Sequence, residues 1–194
     1  VAVYEDRARH PNAFPGPSSG VRLGPLTTPR LQIRRIVPSD LLRVLATMDD
    51  EMLTINGWTA QHAGLFAAKL GGAYHDGLRD DLAIQEWGSS TIVGTASVHR
   101  NHRHDDPEIG WWIGAEHRGR GYATEAVRAL IDGLHEDGHP IVTFSTGVDN
   151  LAVQRIATKV GAVESHRGDR TLPNGLVVPA IVYLHRTSAG QRDS

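Results

Sequence analysis

A glycine-rich stretch at residues 118–123 has the residue types and spacing best suited to chemistry. It reads Arg-Gly-Arg-Gly-Tyr-Ala and lies between an apolar run that ends at Ile113 and a long amphipathic segment that begins near Gly121. The first turn of a helix has unpaired backbone N–H groups and carries the positive end of the helix dipole, so it binds anions. Glycine also lets the backbone approach a phosphate closely. The pattern therefore predicts a phosphate-binding turn, called the phosphate turn below.

Two familiar nucleotide-binding patterns do not fit the phosphate turn. The dinucleotide fingerprint has a third glycine three residues after the second, and Thr124 stands there instead. The Gly-Lys-Ser/Thr of a P-loop does not occur here either. A Gly-x-Gly between a strand and a helix is also compatible with a tight turn that binds no ligand. The residues of the turn alone leave both interpretations open.

Composition narrows the class of protein. The 194 residues have a formal net charge of -2, so the chain lacks the basic field typical of nucleic-acid binders. The chain has no cysteine, which excludes disulfides, a cysteine nucleophile and thiolate metal sites. No apolar run reaches membrane-spanning length, and the first residues show no hydrophobic signal segment. We therefore expect a cytoplasmic protein that binds neither nucleic acid nor membrane.

Residues 1–29 differ from the rest because proline and glycine are frequent there. Proline removes backbone donors, and glycine raises the entropy lost on ordering. We predict an irregular arm over 1–29, which could lie across a neighbouring subunit, a folded domain over 30–187 and a short tail over 188–194.

Hydrophobic periodicity predicts the elements that position the phosphate turn. Early hairpins and late helical crossovers indicate an α/β (α+β) fold with a mixed sheet and helices on both faces. The predicted order is a strand near 31–37, helices near 41–45 and 59–70, strands near 82–87, 91–98 and 108–115, a helix over 121–138, a strand over 141–146, a helix over 150–160, and strands near 162–167 and 176–185.

Several stretches together resemble the GNAT N-acetyltransferase superfamily. The phosphate turn follows that superfamily's acetyl-CoA motif, Gln/Arg-x-x-Gly-x-Gly/Ala, at Arg118, Gly121 and Ala123. The most similar branch is the RimJ/RimL-like group, which includes ribosomal-protein N-terminal acetyltransferases. Further stretches resemble the group's opening strand, third strand and second cofactor motif: residues 26–34, 91–96 and 149–162.

The resemblance spans residues 26–185 and implies an enzyme that uses acetyl-CoA as acyl donor, without a metal. It implies a GNAT fold with a mostly antiparallel sheet of about six or seven strands. In that fold the strand before the phosphate turn splays from its neighbour and hydrogen-bonds the pantetheine arm. The residues that the resemblance assigns to the cofactor are Trp111, Trp112, Ile113, Arg118, Gly119, Arg120, Gly121, Tyr122, Ala123 and Asn150.

Some of these assignments have structural alternatives. Neighbouring strand residues point to opposite faces, so Trp111 and Trp112 can pack there while their main chain binds the cofactor. Asn150 can be an ordinary helix N-cap. Arg155 and Lys159, which the resemblance places near the adenosine phosphates, also fit a solvated helix face.

Glu108 is the candidate general base. An alkyl amine is mostly protonated at neutral pH and must lose a proton to attack an acyl carbon. Glu108 begins the strand assigned to pantetheine, where similar enzymes place a carboxylate facing the acceptor. Partial burial would raise the pKa of Glu108 towards the operating pH, which suits a general base. The alternative interpretation is an ordinary surface glutamate at the start of a strand. We expect direct acetyl transfer to a primary amine, either a protein N-terminus or a small molecule.

The chain departs from the family pattern at the residue that protonates the leaving thiolate. The serine expected three residues after Asn150 is Val153. Ser145, Tyr183 or water could act instead, and a thiolate also leaves unaided. The departure motivates an alternative from a different class, a non-catalytic acyl-CoA-binding regulatory module.

Specificity for the acceptor is expected around Trp58 and in the segments 71–80 and 167–179, and a homodimer is compatible with the sequence. Residues 99–107 form a predicted polar loop, which leads to Glu108 and should border the acceptor site. The spacing of its residues does not fit a metal site, although one of its histidines is a secondary candidate base. The loop's candidate ligands are His99, His102, His104, Asp105 and Asp106.

Overall fold

A computed structural model of the chain describes residues 23–71, 79–100 and 106–187. The strands are β1 (Leu26–Thr27), β2 (Leu31–Arg35), β3 (Arg79–Glu86), β4 (Ile92–Arg100), β5 (Pro107–Ile113), β6 (Ile141–Gly147), β7 (Val163–Thr171) and β8 (Val177–Arg186). The helices are α1 (Leu41–Ala46), α2 (Asp50–Ile55), α3 (Ala60–Gly71), α4 (Tyr122–Glu136) and α5 (Leu151–Val160).

The strands form one mixed sheet in the order β1-β2-β3-β4-β5-β6-β8-β7. All neighbouring strands are antiparallel except β5 and β6, which are parallel. This is the predicted mixed, mostly antiparallel sheet. It has eight strands instead of six or seven, because the two residues of β1 add a short edge strand.

Helices cover both faces of the sheet, as predicted. On one face, here called the α4 face, Leu130 and Ile131 of α4 pack with Ala157 of α5 in the main core. On the other, here called the α1 face, Val44 of α1 packs with Phe66 of α3. The stripe on α4 arises because apolar residues recur at helical spacing, so that one side of the helix is buried. No helix within the described ranges is long and apolar enough to span a membrane.

The sequence did not predict two short elements, α2 and β1. Helix α2 has six residues, and its N-cap is Asp49, whose carboxylate accepts a hydrogen bond from the Met52 amide at 2.9 Å. Strand β1 is shorter still, and Leu23 before it is buried. Neither element is long enough to show periodicity. Leu23 and β1 thus lie within the predicted arm. Residues 1–22 of that arm and the predicted tail lie outside the described residues, so the division into arm, domain and tail stays a prediction.

Candidate functional site

The two parallel strands at the centre of the sheet separate along their length. β5 pairs with β6 only at Glu108 and Thr143, whereas β5 pairs with β4, and β6 with β8, along their whole lengths. At the closed end the Thr143 hydroxyl donates a hydrogen bond to the Pro107 carbonyl at 3.3 Å. The opening beyond this pair is called the wedge below. Its β5 side presents main-chain groups that an extended ligand can pair with as a strand would.

The phosphate turn lies after the open end of β5. Gly119 and Gly121 have positive φ angles of 75° and 82°, a conformation that glycine adopts without strain. Gly121 is the N-cap of α4, and no side chain caps this helix start. Within the described part of the chain, no acceptor pairs with the amides of residues 119–124. These amides and the positive helix end therefore form an anion-binding surface.

Arg118 joins the phosphate turn to the start of α2. Its guanidinium donates to Asp49 and to Glu51, each at 2.6 Å, and its Nε donates to the Ile113 carbonyl at 2.9 Å. The side chain of Arg118, a residue that the resemblance assigns to the cofactor, is therefore already paired with two carboxylates. The Arg118 amide already donates to Ala115 O at 3.3 Å. The geometry fits a residue that holds the turn in place better than one that contacts phosphate.

Arg30 also reaches the phosphate turn, a contact that the sequence did not reveal. Its guanidinium donates to the Arg120 carbonyl at 2.9 Å and to Glu125 at 2.7 Å. Burial would raise the pKa of Glu125, but hydrogen bonds from Thr28 and Arg30 outweigh that effect and lower it. The carboxylate in the first turn of α4 is therefore neutralised by Arg30, which limits its repulsion of a bound anion.

Tyr122 and Arg120 have side chains that make contacts within the protein. The Tyr122 hydroxyl donates to Glu86 at 2.7 Å, a hydrogen bond that raises the tyrosine's pKa, with burial adding to the shift. The Arg120 guanidinium donates to the Glu116 carbonyl at 2.9 Å. Both contacts support the conformation of the turn.

The tryptophans of β5 lie on opposite faces, as strand alternation predicted. Trp111 packs against Phe144 on the α4 face, with ring centroids 5.3 Å apart. Trp112 packs with Trp58 and Phe66 on the α1 face, at centroid distances of 6.1 and 5.7 Å. Ile113 is buried in the main core. All three side chains therefore pack within the protein, and their main chain lines the wedge.

Asn150 caps α5. Its side-chain oxygen accepts a hydrogen bond from the Val153 amide at 3.2 Å, which is the structural role considered from the sequence. Its amide NH2 donors are not used in that cap, so contact with a cofactor stays a prediction.

Glu108 lies at the closed end of the wedge, on the α1 face. Its side chain is 26% exposed, accepts a hydrogen bond from the Ser145 hydroxyl at 3.1 Å, and lies 3.5 Å from His99 Nε2. Burial would raise the pKa of Glu108, but the hydrogen bond and charge of His99, with the Ser145 hydroxyl, lower it below its usual range. The upward shift expected from burial alone is therefore wrong in sign, because the sequence did not show these neighbours.

The polar loop contributes one described histidine to this region. His99 lies in β4, which is longer than predicted, and it is opposite Glu108 in the β4–β5 register. His102, His104 and Asp105 lie outside the described residues. Among the residues that are described, no three His, Asp or Glu side chains are grouped so as to hold a metal ion.

The two candidates for protonating the thiolate lie on different faces. Ser145 contacts Glu108 on the α1 face. Tyr183 stacks on Phe144 in the main core, with ring centroids 5.4 Å apart, and burial raises its pKa. Ser145 therefore lies beside Glu108, whereas Tyr183 lies on the opposite face of the sheet.

Comparison of the sequence with known protein families identifies the family of this chain. The family described as "Acetyltransferase (GNAT) domain" matches residues 30–163. The chain belongs to the GNAT acetyltransferase family. It is therefore an acetyltransferase whose acyl donor is acetyl-CoA, as its sequence motifs implied. A comparison with curated proteins finds no match.

Solved GNAT structures share the fold at low sequence identity. An acetyltransferase from Salmonella typhimurium, described as modifying the N-terminal serine of a 50S ribosomal subunit protein, is 18% identical with a TM-score of 0.70, covering 85% of this chain and 100% of its own. A GNAT-family acetyltransferase from Bacillus anthracis is 20% identical with a TM-score of 0.69, covering 84% and 98%. The microcin C7 self-immunity acetyltransferase MccE, solved with acetyl-CoA and AMP, is 16% identical with a TM-score of 0.68, covering 88% and 98%.

Proposed function

We propose that this chain transfers the acetyl group of acetyl-CoA directly to a primary amine, with Glu108 as the general base. The observation that carries the proposal is the position of Glu108 at the point where β5 and β6 diverge. A ligand that pairs with the β5 main chain in the wedge would end beside this carboxylate. The partial burial of Glu108 and its contact with Ser145 suit a group that meets substrate inside the protein.

The cofactor assignments become proposals with distinct roles. We infer that the amides of Gly119, Arg120, Gly121, Tyr122 and Ala123 bind the pyrophosphate and that the main chain of residues 111–113 binds the pantetheine arm. Arg118 acts through its carboxylate partners as a positioning residue. Asn150 has an amide NH2 left to donate.

The proposed steps use few residues. Acetyl-CoA, when bound, supplies the acyl carbon and a thiolate leaving group. The neutral form of the amine attacks the acyl carbon with its lone pair and forms the new C–N bond. One N–H proton passes to the Glu108 carboxylate, and the C–S bond breaks with its electron pair leaving on the thiolate. A main-chain N–H of β5 donates to the carbonyl oxygen as negative charge develops there. The lowered pKa keeps Glu108 ionised, and so able to accept a proton, throughout the neutral range.

A thiol-release assay tests the proposal. The purified chain is incubated with acetyl-CoA and a panel of amines that includes peptide N-termini, and Glu108→Gln is compared with Glu164→Gln, which alters an exposed glutamate on β7. Loss of a general base lowers kcat/KM by about 10²- to 10⁴-fold. We expect that loss in Glu108→Gln only, with unchanged CoA affinity in both variants.

Two outcomes would contradict this assignment. Full turnover in Glu108→Gln would exclude this residue as the base. Tight acetyl-CoA binding without thiol release on any amine would instead favour the regulatory-module alternative.

A further inference from the structure

Arg170 on β7 shares a face of the sheet with Glu108. Residues opposite each other in neighbouring strands point to the same face, as do residues two or four apart along a strand. Ser145 lies opposite Val182, and Val178 lies opposite Arg170. Since Ser145 donates to Glu108 on the α1 face, Arg170 points to that face as well.

Arg170 is partly buried and has no partner for its guanidinium in the described part of the chain. Its Nε is fully buried there without a hydrogen bond, and no ion pair involves this side chain. Arg118, by contrast, is paired with two carboxylates. Burial lowers the pKa of Arg170, and the nearby negative charge of Glu108 acts in the opposite direction. Leaving buried donors unpaired is unfavourable, so such a group is suited to an anionic ligand.

The β7–β8 hairpin that carries Arg170 is held against the α2–α3 connection. A Cβ added to Gly57 would lie 2.6 Å from Leu172 Cβ and 3.0 Å from Asn174 Oδ1, so the main chain of Gly57 lies directly against the hairpin. Leu172 itself is buried. This contact limits the movement of the strand end next to Arg170, which favours a fixed binding group over a mobile surface arginine.

We propose that Arg170 binds the carboxylate of the acceptor while Glu108 faces its amino group. The acceptor is then a small amine that carries its own carboxylate, such as an amino acid. A guanidinium presents a planar fork of donors that matches a carboxylate, and the Arg170–Glu108 pair of opposite charges complements a zwitterion. This inference rests on the proposed acetyl transfer at Glu108 and specifies its substrate class.

Matched pairs of acceptors test the inference. The common α-amino acids that have a primary amine differ from their carboxamides at the group that Arg170 would bind, and the ratio of the two kcat/KM values measures recognition of that group. Hydrogen bonds between charged groups correspond to a factor of about 10 to 100. We expect Arg170→Gln to lower the carboxylate-to-carboxamide ratio by about that factor, while kcat/KM for the carboxamide changes less than about threefold.

Two further variants separate binding from other roles. Arg186→Gln removes an exposed arginine from the other end of the same hairpin and should leave the ratio unchanged. Arg170→Lys keeps the charge but loses the fork, so it should restore part of the ratio. If Arg170 acts only by keeping Glu108 ionised, Arg170→Gln will slow both members of each pair equally, and the inference is wrong.

A binding measurement covers the case of slow turnover. Calorimetric titration of the chain saturated with CoA should show amino acids binding more tightly than their carboxamides, and Arg170→Gln should remove the difference. If no carboxylate-bearing amine reacts or binds, the inference is overturned. Thiol release on peptide N-termini or on amines without a carboxylate would then leave the acetyl-transfer proposal intact, whereas absence of thiol release with every amine would count against both.

Discussion

Gly94 on β4 lies where that strand passes the β5 side of the wedge, and replacing it with alanine should damage cofactor binding and stability together. Gly94 is opposite Ile113 in the β4–β5 register. A Cβ at Gly94 would lie 3.0 Å from Ile113 Cα and would overlap the Trp112 carbonyl oxygen more severely. Carbon atoms pack best at about 3.5–4.0 Å, so the β5 main chain would have to move by about 0.5–1 Å or more. This main chain is the part assigned to pantetheine.

The expected effect of Gly94→Ala follows from overpacking and from weakened strand pairing. Overpacking costs about 1–3 kcal/mol, and each backbone hydrogen bond lost or weakened adds about 0.5–1.5 kcal/mol. We expect the free energy of unfolding to fall by about 3 kcal/mol, which corresponds to a Tm lower by about 6–12 °C in a chain of this size. The Kd for CoA should rise at least about tenfold, since the displaced strand can no longer pair with the ligand.

Urea and thermal unfolding, with and without CoA, measure both effects. Gly64→Ala in α3 is the control, because a Cβ there meets no atom within 4 Å and alanine favours a helix. The control should be neutral or stabilising by up to about 1 kcal/mol. If Gly94→Ala unfolds within about 0.5 kcal/mol of the wild type and binds CoA equally well, the close approach of β4 and β5 does not shape the cofactor site.

Two further predictions concern charge. Arg118→Ala should weaken CoA binding at least about tenfold, because it leaves two carboxylates without their partner beside the phosphate turn. Adding Asp49→Asn should recover part of the lost CoA affinity, as measured by calorimetry. If no affinity is recovered, Arg118 binds phosphate directly. Burial lowers the pKa of His185, and the charge of His135 adds to this shift. The unfolded chain therefore takes up more protons than the folded chain, so the free energy of unfolding decreases as pH falls through the usual histidine pKa of about 6.5. His185→Gln should therefore lose less free energy of unfolding than the wild type between about pH 7.5 and 5.5, by at most about 1.4 kcal/mol per pH unit, and equal slopes would contradict this.

Residue spacing within single stretches of the sequence predicted most of the helices and strands and the backbone conformation of the phosphate turn. The run of apolar residues before the phosphate turn and the stripe on α4 each lie within one stretch of sequence, so their periodicity shows what they form. The positive φ angles at Gly119 and Gly121 agree with the reason for placing glycine there. Short elements such as α2 contain too few residues to show a period.

Side-chain partners in the site could not be predicted in the same way. The residues paired with Arg118 lie in α2 and just before it, and Arg30 meets Glu125 across two elements distant in sequence. The pKa of Glu108 depends on His99 from the neighbouring strand, so its direction follows from the β4–β5 register rather than from burial alone. These contacts depend on tertiary structure, which hydrophobic spacing does not encode.

The wedge between β5 and β6 amounts to a sheet edge inside a sheet. An edge strand at the rim exposes donors and acceptors to any passing chain and so invites aggregation. Here the same kind of unpaired row lies between strands that continue on both sides, with β4 beyond β5 and β8 beyond β6. A second polypeptide strand, with side chains on both of its faces, is ill suited to enter between them, whereas a slender unbranched amide chain meets no such obstacle. Because the unpaired main chain of β5 lies inside the sheet, it can still hydrogen-bond a ligand but is not accessible to a strand of another protein.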